Sequence, residues 1–197
     1  SKNYWLFQGN PEIYNTTRAL KAEHLKSWKV AAHKDKIKAG DRVIIWQTGG
    51  NAGCYALAEV ASEVGVFEEE NFEKQYYSSD SDSGETERVK IKITKNLVDD
   101  PVLWDSIKNN PIFLKFNAGN QGTNFSATKE EYESILELIN DNSDSSFNNV
   151  AKLFQIDELS KFIGLIQLIV KQNSLIISDL RIAFSVRESE RRLVFII

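Results

Sequence analysis

The chain is poor in the residues from which catalytic and metal centres are built. Its 197 residues include one cysteine and two histidines. One cysteine excludes an internal disulfide and fits a reducing compartment, the cytoplasm. With Cys54, His24 and His33 alone, no zinc finger or His-Asn-His nuclease site can be assembled. No Gly-x-x-x-x-Gly-Lys-Ser/Thr loop occurs, and Gly49-Gly50 lacks the lysine such a loop needs. No uncharged apolar run reaches the roughly eighteen residues of a membrane-spanning helix, and the start has no apolar signal core. Asp99-Asp100 precede a proline, where helix initiation accounts for them, and Asp80 and Asp82 lie in a serine-rich stretch. The reading is a chain with no catalytic residues, no cofactor, no metal and no membrane partner.

What is present is a core and an uneven charge. Hydrophobic residues make up 42% and aromatic residues 11%, enough for a folded domain with an appendage. Net charge is -4, which alone argues against a polyanionic partner. Residues 1–50, however, hold nine Lys and Arg against four Asp and Glu, whereas residues 51–100 hold five against twelve. Local potential steers an anion more than the total does. The basic excess falls on a segment that also carries tryptophans; a plain solvated surface is the alternative.

Asn3–Gln8 reads as a strand, Thr16–Leu25 as a short helix capped by Asn15 or Thr16, and Arg42–Trp46 as a buried strand after a Lys38–Asp41 turn. Thr48–Asn51 joins it to a second strand, Gly53–Val60, in an antiparallel pair. Cys54, within that strand, reads as a small buried hydrophobe. Ser78–Glu87 is acidic, serine-rich and exposed, and Arg88–Thr94 alternates polar and apolar as a half-exposed strand. A helix is expected from Asp100-Pro101 to Lys108, and another from a capping box at Thr128–Glu131 to about Ile139. The polar stretch 141–149 predicts a linker between a domain at 1–140 and a helical connector at 150–197, helical over Ile156–Gln172. The chain stops in a strand-like segment, which predicts a fragment entering a further module.

The blocks Tyr4-Trp5-Leu6-Phe7-Gln8-Gly9-Asn10-Pro11, Trp28 near His33, Ile37 to Trp46 and Ala52-Gly53-Cys54-Tyr55-Ala56 resemble the EVE domain. The flavour is that at the N-terminus of McrB-like, modification-dependent restriction proteins. Asn117–Phe125 and the helix after it fit that subgroup. The resemblance covers about residues 3–140. It implies an α+β fold: a PUA-like, bent, mostly antiparallel β-barrel surrounded by short helices. It also implies a pocket for a flipped, modified base of DNA or RNA.

Trp28 and Trp46 are the candidate pocket walls. Trp28 alternatively caps the barrel, and Trp46 faces either pocket or core. Phe125 is a third wall, with core packing as its alternative. Gln8 and Asn10, and more weakly Asn117, carry amides with the donors and acceptors a base edge requires, although Asn10-Pro11 also suits a simple turn. Lys26, Lys29, Lys34, Lys36 and Lys38 are candidate phosphate contacts, and Thr48, Gly49, Gly50 and Asn51 a loop that enters a groove. The leading expectation is a reader of double-stranded DNA with a methylated or otherwise modified base, whose nuclease or NTPase module lies elsewhere in the parent protein. An RNA reader and a peptide-docking module are the rivals.

Overall fold

The computed structural model describes residues 2–79, 83–140, 181–187 and 190–196. The chain divides into two compact units, Ser1–Asn140 and Asp141–Ile197.

The first unit is a curled mixed sheet. Strand β1 (Tyr4–Gly9) lies between β3 (Arg42–Gln47), with which it runs parallel, and β8 (Asn124–Ala127), which is antiparallel to it. Strand β4 (Gly53–Val60) returns from β3 through the Thr48–Ala52 turn. The eleven-residue β6 (Thr86–Asn96) then pairs with β4 and with β2 (Ser27–Lys29), giving the order β2-β6-β4-β3-β1-β8. Strand β5 (Gly65–Phe67) adds to β6, and β7 (Val102–Leu103) adds to β4.

β1 and β3 are apolar on both faces because both faces are covered. Alternation sends Trp5, Phe7, Val43 and Ile45 into one hydrophobic cluster, and Leu6, Ile44 and Trp46 into another. The first cluster holds Leu20, Leu25, Trp28 and Val89. The second holds Ile107, Phe113, Phe116 and Ile135. The two outermost strands of the path, β2 and β8, are tied by one side chain. Asn124 accepts from Ala31 N at 2.8 Å and donates to Lys29 O at 3.2 Å. A side-chain amide thus replaces a ladder where the barrel closes.

Helix α1 (Thr16–Lys21) is capped by Asn15, whose side chain accepts from Arg18 N at 3.0 Å. It ends four residues before the expected Leu25, because Glu23 takes a left-handed φ of 58° that no helix continues through. Helix α2 spans Asn71–Lys74. The expected helix over 100–108 is corrected: Val102–Leu103 is strand, and only α3 (Trp104–Ile107) is helical. The reason is Gly53 opposite, where the absent Cβ leaves room for Val102 O to approach. Pro111–Phe113 forms a 3-10 turn. Helix α4 (129–140) starts at a reciprocal capping box, Glu131 N to Thr128 Oγ1 at 3.1 Å and Thr128 N to Glu131 Oε2 at 2.7 Å. Of the expected loop over 78–87, Thr86 and Glu87 belong to β6, and 80–82 lie outside the described residues. The expected linker at 141–149 and helix at 156–172 also lie outside them. In the second unit β9 (Arg181–Arg187) and β10 (Glu190–Ile196) form an antiparallel hairpin.

Candidate nucleic-acid interface

A cavity of about 830 Å³ opens where β1 and β3 end. Gly9, Asn10, Thr48 and Gly49 border it, as does the loop of residues 118–123. Tyr14 and Thr16 come from the start of α1, Leu25 and Ser27–Lys29 from the β2 side, and Trp46, Ala52 and Trp104 from the other face of the sheet. Tyr77 and Arg88 complete the wall. Lys29 and Arg88 are the charged side chains on this lining, so no carboxylate borders it among the described residues.

Trp28 is only 7% exposed and borders the cavity. It lies nearly parallel to Phe7, with centroids 6.0 Å apart and planes 21° apart. Gly9 allows this: a Cβ there would stand 3.3 Å from the far end of the indole. Trp46 is 1% exposed and packs edge-on against Phe116 at 5.2 Å. Both indoles expected as walls border the one cavity, each from its own hydrophobic cluster. The side chains of β1 and β3 alternate between the two clusters, and Trp28 joins one while Trp46 joins the other. The half-buried Trp104, which sequence reasoning overlooked, reaches the cavity on the Trp46 side, edge-on to Trp46 at 6.2 Å. A tryptophan just after Pro101 was the available signal.

The amides differ from their expected role. Gln8 is 5% exposed; its Nε2 donates to Asn120 O at 2.8 Å and Gly122 O at 3.1 Å, and its Oε1 accepts from Gly119 N at 2.7 Å. Both donors are engaged, so Gln8 builds the rim loop instead of offering a free base-reading edge. Asn10 forms a turn, its Oδ1 accepting from Glu12 N at 2.9 Å, and it stays at the cavity mouth. Asn117 is off the lining and donates to Ser126 O at 3.1 Å. Phe125 is also off it, packed against the second cluster and over Gly122, where a Cβ would lie 2.9 Å from its ring.

The lysines are exposed, and Lys29 alone among them borders the cavity. Lys34 pairs with Glu87, and Lys38 with Glu63 at 3.2 Å. Lys26, Lys29 and Lys36 make no ion pair among the described residues. Thr48 and Gly49 line the cavity, whereas Gly50 and Asn51 are exposed at the tip of the same turn. Thr48 N donates to Gly9 O at 3.0 Å, which joins the turn to the end of β1.

Arg88 overturns the expected half-exposed strand at its position. It is 3% exposed, with Nη1 3.2 Å from Glu69 Oε2 and Nε donating to Ser27 Oγ at 3.2 Å. Ser27 in turn contacts buried Glu73, which also accepts from Lys26 N and Ser27 N at 3.0 and 2.8 Å. Burial pushes the Cys54 thiol up to about 12, far from a reactive thiolate. Among the described residues no group of three or more His, Cys, Asp or Glu could hold a metal ion. Among them, too, no helix is long and apolar enough to cross a membrane.

A curled, side-chain-closed sheet with a cavity over its strand ends defines a PUA-like binding module. Residues 3–138 match the EVE domain model, and the chain belongs to that family. EVE domains are PUA-like folds associated with binding nucleic acids or modified bases, and are generally non-catalytic. A hypothetical protein from Leishmania major is similar in structure, with a TM-score of 0.51 at 16% identity over 73% of this chain and 98% of that one. A protein from Agrobacterium tumefaciens gives 0.48 at 18% identity, over 69% and 92%. No curated protein sequence matches the chain.

Proposed function

We propose that this chain reads a modified base in double-stranded DNA, flipped into the cavity, as the specificity module of a modification-dependent restriction system of the McrB-like kind. The nuclease or NTPase partner belongs to the parent protein, and the assembly works in the cytoplasm. The observation that carries the reading is the cavity itself: an indole wall, a rim loop hydrogen-bonded to Gln8, and cations without carboxylates on its lining. Its volume of about 830 Å³ falls within the ordinary range of ligand pockets, about 300–1,000 Å³.

Extruding a base costs a few kcal/mol, and stacking on one aromatic ring returns about 1–3 kcal/mol. Trp28 supplies that ring, through the part not packed on Phe7, and Trp104 borders the opposite side of the opening. Lys29 stands at the mouth, with Lys26 and Lys36 on the surface beyond, to hold the phosphates. Exposed ion pairs such as Lys34–Glu87 and Lys38–Glu63 contribute about 0–1 kcal/mol, so a phosphate can displace their carboxylates. The turn at Thr48, Gly49, Gly50 and Asn51 meets the groove the base has left.

Fluorescence titration of the full chain with methylated, otherwise modified and plain duplexes tests this. Tighter binding of a modified duplex at matched salt is expected. Equal, weak binding of all duplexes with one salt slope would remove the reading. A preference for RNA of the same sequence would redirect it.

A further inference from the structure

Strand β2 brings Trp28 to the cavity wall, yet its own ladder holds it weakly. It is three residues long, and β6 is its one ladder partner among the described residues. Side chains from distant segments hold its two ends. Asn124 holds the far end, at Lys29 and Ala31. Glu73, from helix α2, holds the start. Its Oε1 accepts from Lys26 N at 3.0 Å, Ser27 N at 2.8 Å and Ser27 Oγ at 3.0 Å. Its Oε2 accepts from Glu70 N at 3.2 Å, which ties the same side chain to the beginning of its own helix.

Glu73 is buried and does not border the cavity, whereas Ser27 and Trp28 do. Glu69 already pairs with the guanidinium of Arg88, so Glu73 is a second buried carboxylate beside one cation. Burying a charge is costly, and an apolar side chain of similar volume fills such a space more cheaply. What the carboxylate adds is direction. It accepts from two successive backbone amides and so fixes where the chain enters β2. Trp28 is the next residue. Its indole has little slack, lying nearly parallel to Phe7 with its far end 3.3 Å from where a Cβ on Gly9 would stand. A small shift of β2 therefore moves the wall.

We propose that Glu73 is a positioning residue for base reading: from outside the cavity it sets the Trp28 wall, by the reach of its carboxylate and not by its charge. This deepens the base-reading proposal and rests on it.

The test separates reach from charge. Glu73→Asp keeps the charge and withdraws it by one methylene, whereas Glu73→Gln keeps the reach and removes the charge. Full chains of the wild type, both variants, Trp28→Phe and the Glu73→Asp/Trp28→Phe double variant are titrated at matched salt. The duplexes carry one 5-methylcytosine, one 5-hydroxymethylcytosine, one N6-methyladenine or no modification. The modified duplex that the wild type binds most tightly is compared with the plain one. Glu73→Asp is expected to lower the ratio of modified to plain affinity about fivefold, the scale of one hydrogen bond, and Glu73→Gln to hold it within about twofold. Because Glu73 acts through Trp28, the double variant should fall no further than Trp28→Phe alone. Amide exchange in the free chain, read by NMR, makes the same comparison without ligand: the Lys26 and Ser27 amides stay protected in Glu73→Gln and open in Glu73→Asp, while those of the β3–β4 pair hold in both. Exposure of the two amides in Glu73→Gln overturns the role even where Glu73→Asp fails to fold. Loss of the ratio in Glu73→Gln with retention in Glu73→Asp, wild-type behaviour of both, or additive losses in the double variant would also overturn it, and each of these leaves base reading standing. Failure of the wild type to distinguish any modified duplex from plain DNA would instead end base reading, and the part of Glu73 in it.

Discussion

Asn124 holds Lys29 in place across the closure of the barrel: its Nδ2 donates to Lys29 O at 3.2 Å while its Oδ1 accepts from Ala31 N at 2.8 Å. One buried amide thereby fixes both the seam and the backbone that carries the cation at the cavity mouth. Asn124→Leu keeps the volume and leaves a backbone donor and acceptor without partners. A loss of about 2–6 kcal/mol is expected, from two groups at about 1–3 each. Urea unfolding followed by tryptophan fluorescence measures it, and a loss under about 0.5 kcal/mol, the size of an ordinary surface change, would show that the seam closes by other means.

Gly53 makes a sharper steric case. A Cβ there would lie 2.6 Å from Val102 O and 2.9 Å from Leu103 Cα, both backbone atoms that cannot swing aside. Gly53→Ala is expected to destabilise by about 1–3 kcal/mol, the cost of overpacking. Gly50 is the control, since a Cβ there meets nothing within 4 Å and its φ is not left-handed. Gly50→Ala should stay within about 0.5 kcal/mol of wild type. Matched shifts in the melting temperatures of the two variants would refute the steric account.

These cases show where the sequence could be read and where it could not. The β3–β4 pair was legible because its apolar runs are long and a glycine-rich turn separates them. The core fate of Trp46 was half-legible: it lies two residues past Ile44 and shares that residue's cluster, and Trp28 lies in the other. What no local pattern reveals is Arg88. Its strand alternates as an exposed edge would, and its burial depends on Glu69 and Ser27, 19 and 61 positions distant in sequence. The amide of Gln8 was misjudged for a related reason. Its partners at Gly119, Asn120 and Gly122 are over a hundred residues away, and nothing near Gln8 announces them.

The proposed division of labour between ring and cation separates by salt. Trp28 is too buried to delete safely, since Trp→Ala in a core costs about 3–5 kcal/mol. Trp28→Phe retains a ring against Phe7 and reduces the stacking area. It is expected to lower binding to the modified duplex several-fold, with the plain-duplex affinity and salt slope unchanged. Lys29→Ala should weaken both duplexes alike and flatten the slope of log K against log salt by about 0.9, one phosphate contact. Titrations at several salt concentrations read both effects, and interchanged outcomes would mean the roles were assigned the wrong way round.

Cys54 offers a check on the core that needs no ligand. Its side chain is fully buried beside Leu57 and Trp46, and burial raises the thiol from 9.0 to about 12, against a small opposing effect of its contact with Ala56 O. An acid whose folded value is raised contributes stability that is complete below its unfolded value and is lost as pH rises toward the folded one. The unfolded thiol ionises from about pH 9, whereas the folded thiol stays protonated until about pH 12. Within that window the thiol is expected to remove stability at about 1.4 kcal/mol per pH unit. Tyr14, Tyr77 and Tyr132, all raised by burial, add to the loss above pH 10, their ordinary value. Cys54→Ala isolates the first share: its unfolding free energy should fall less steeply than that of wild type between pH 9 and 10. Parallel curves for the two proteins across that interval would mean that the thiol is open to solvent and that the second hydrophobic cluster is not packed as described.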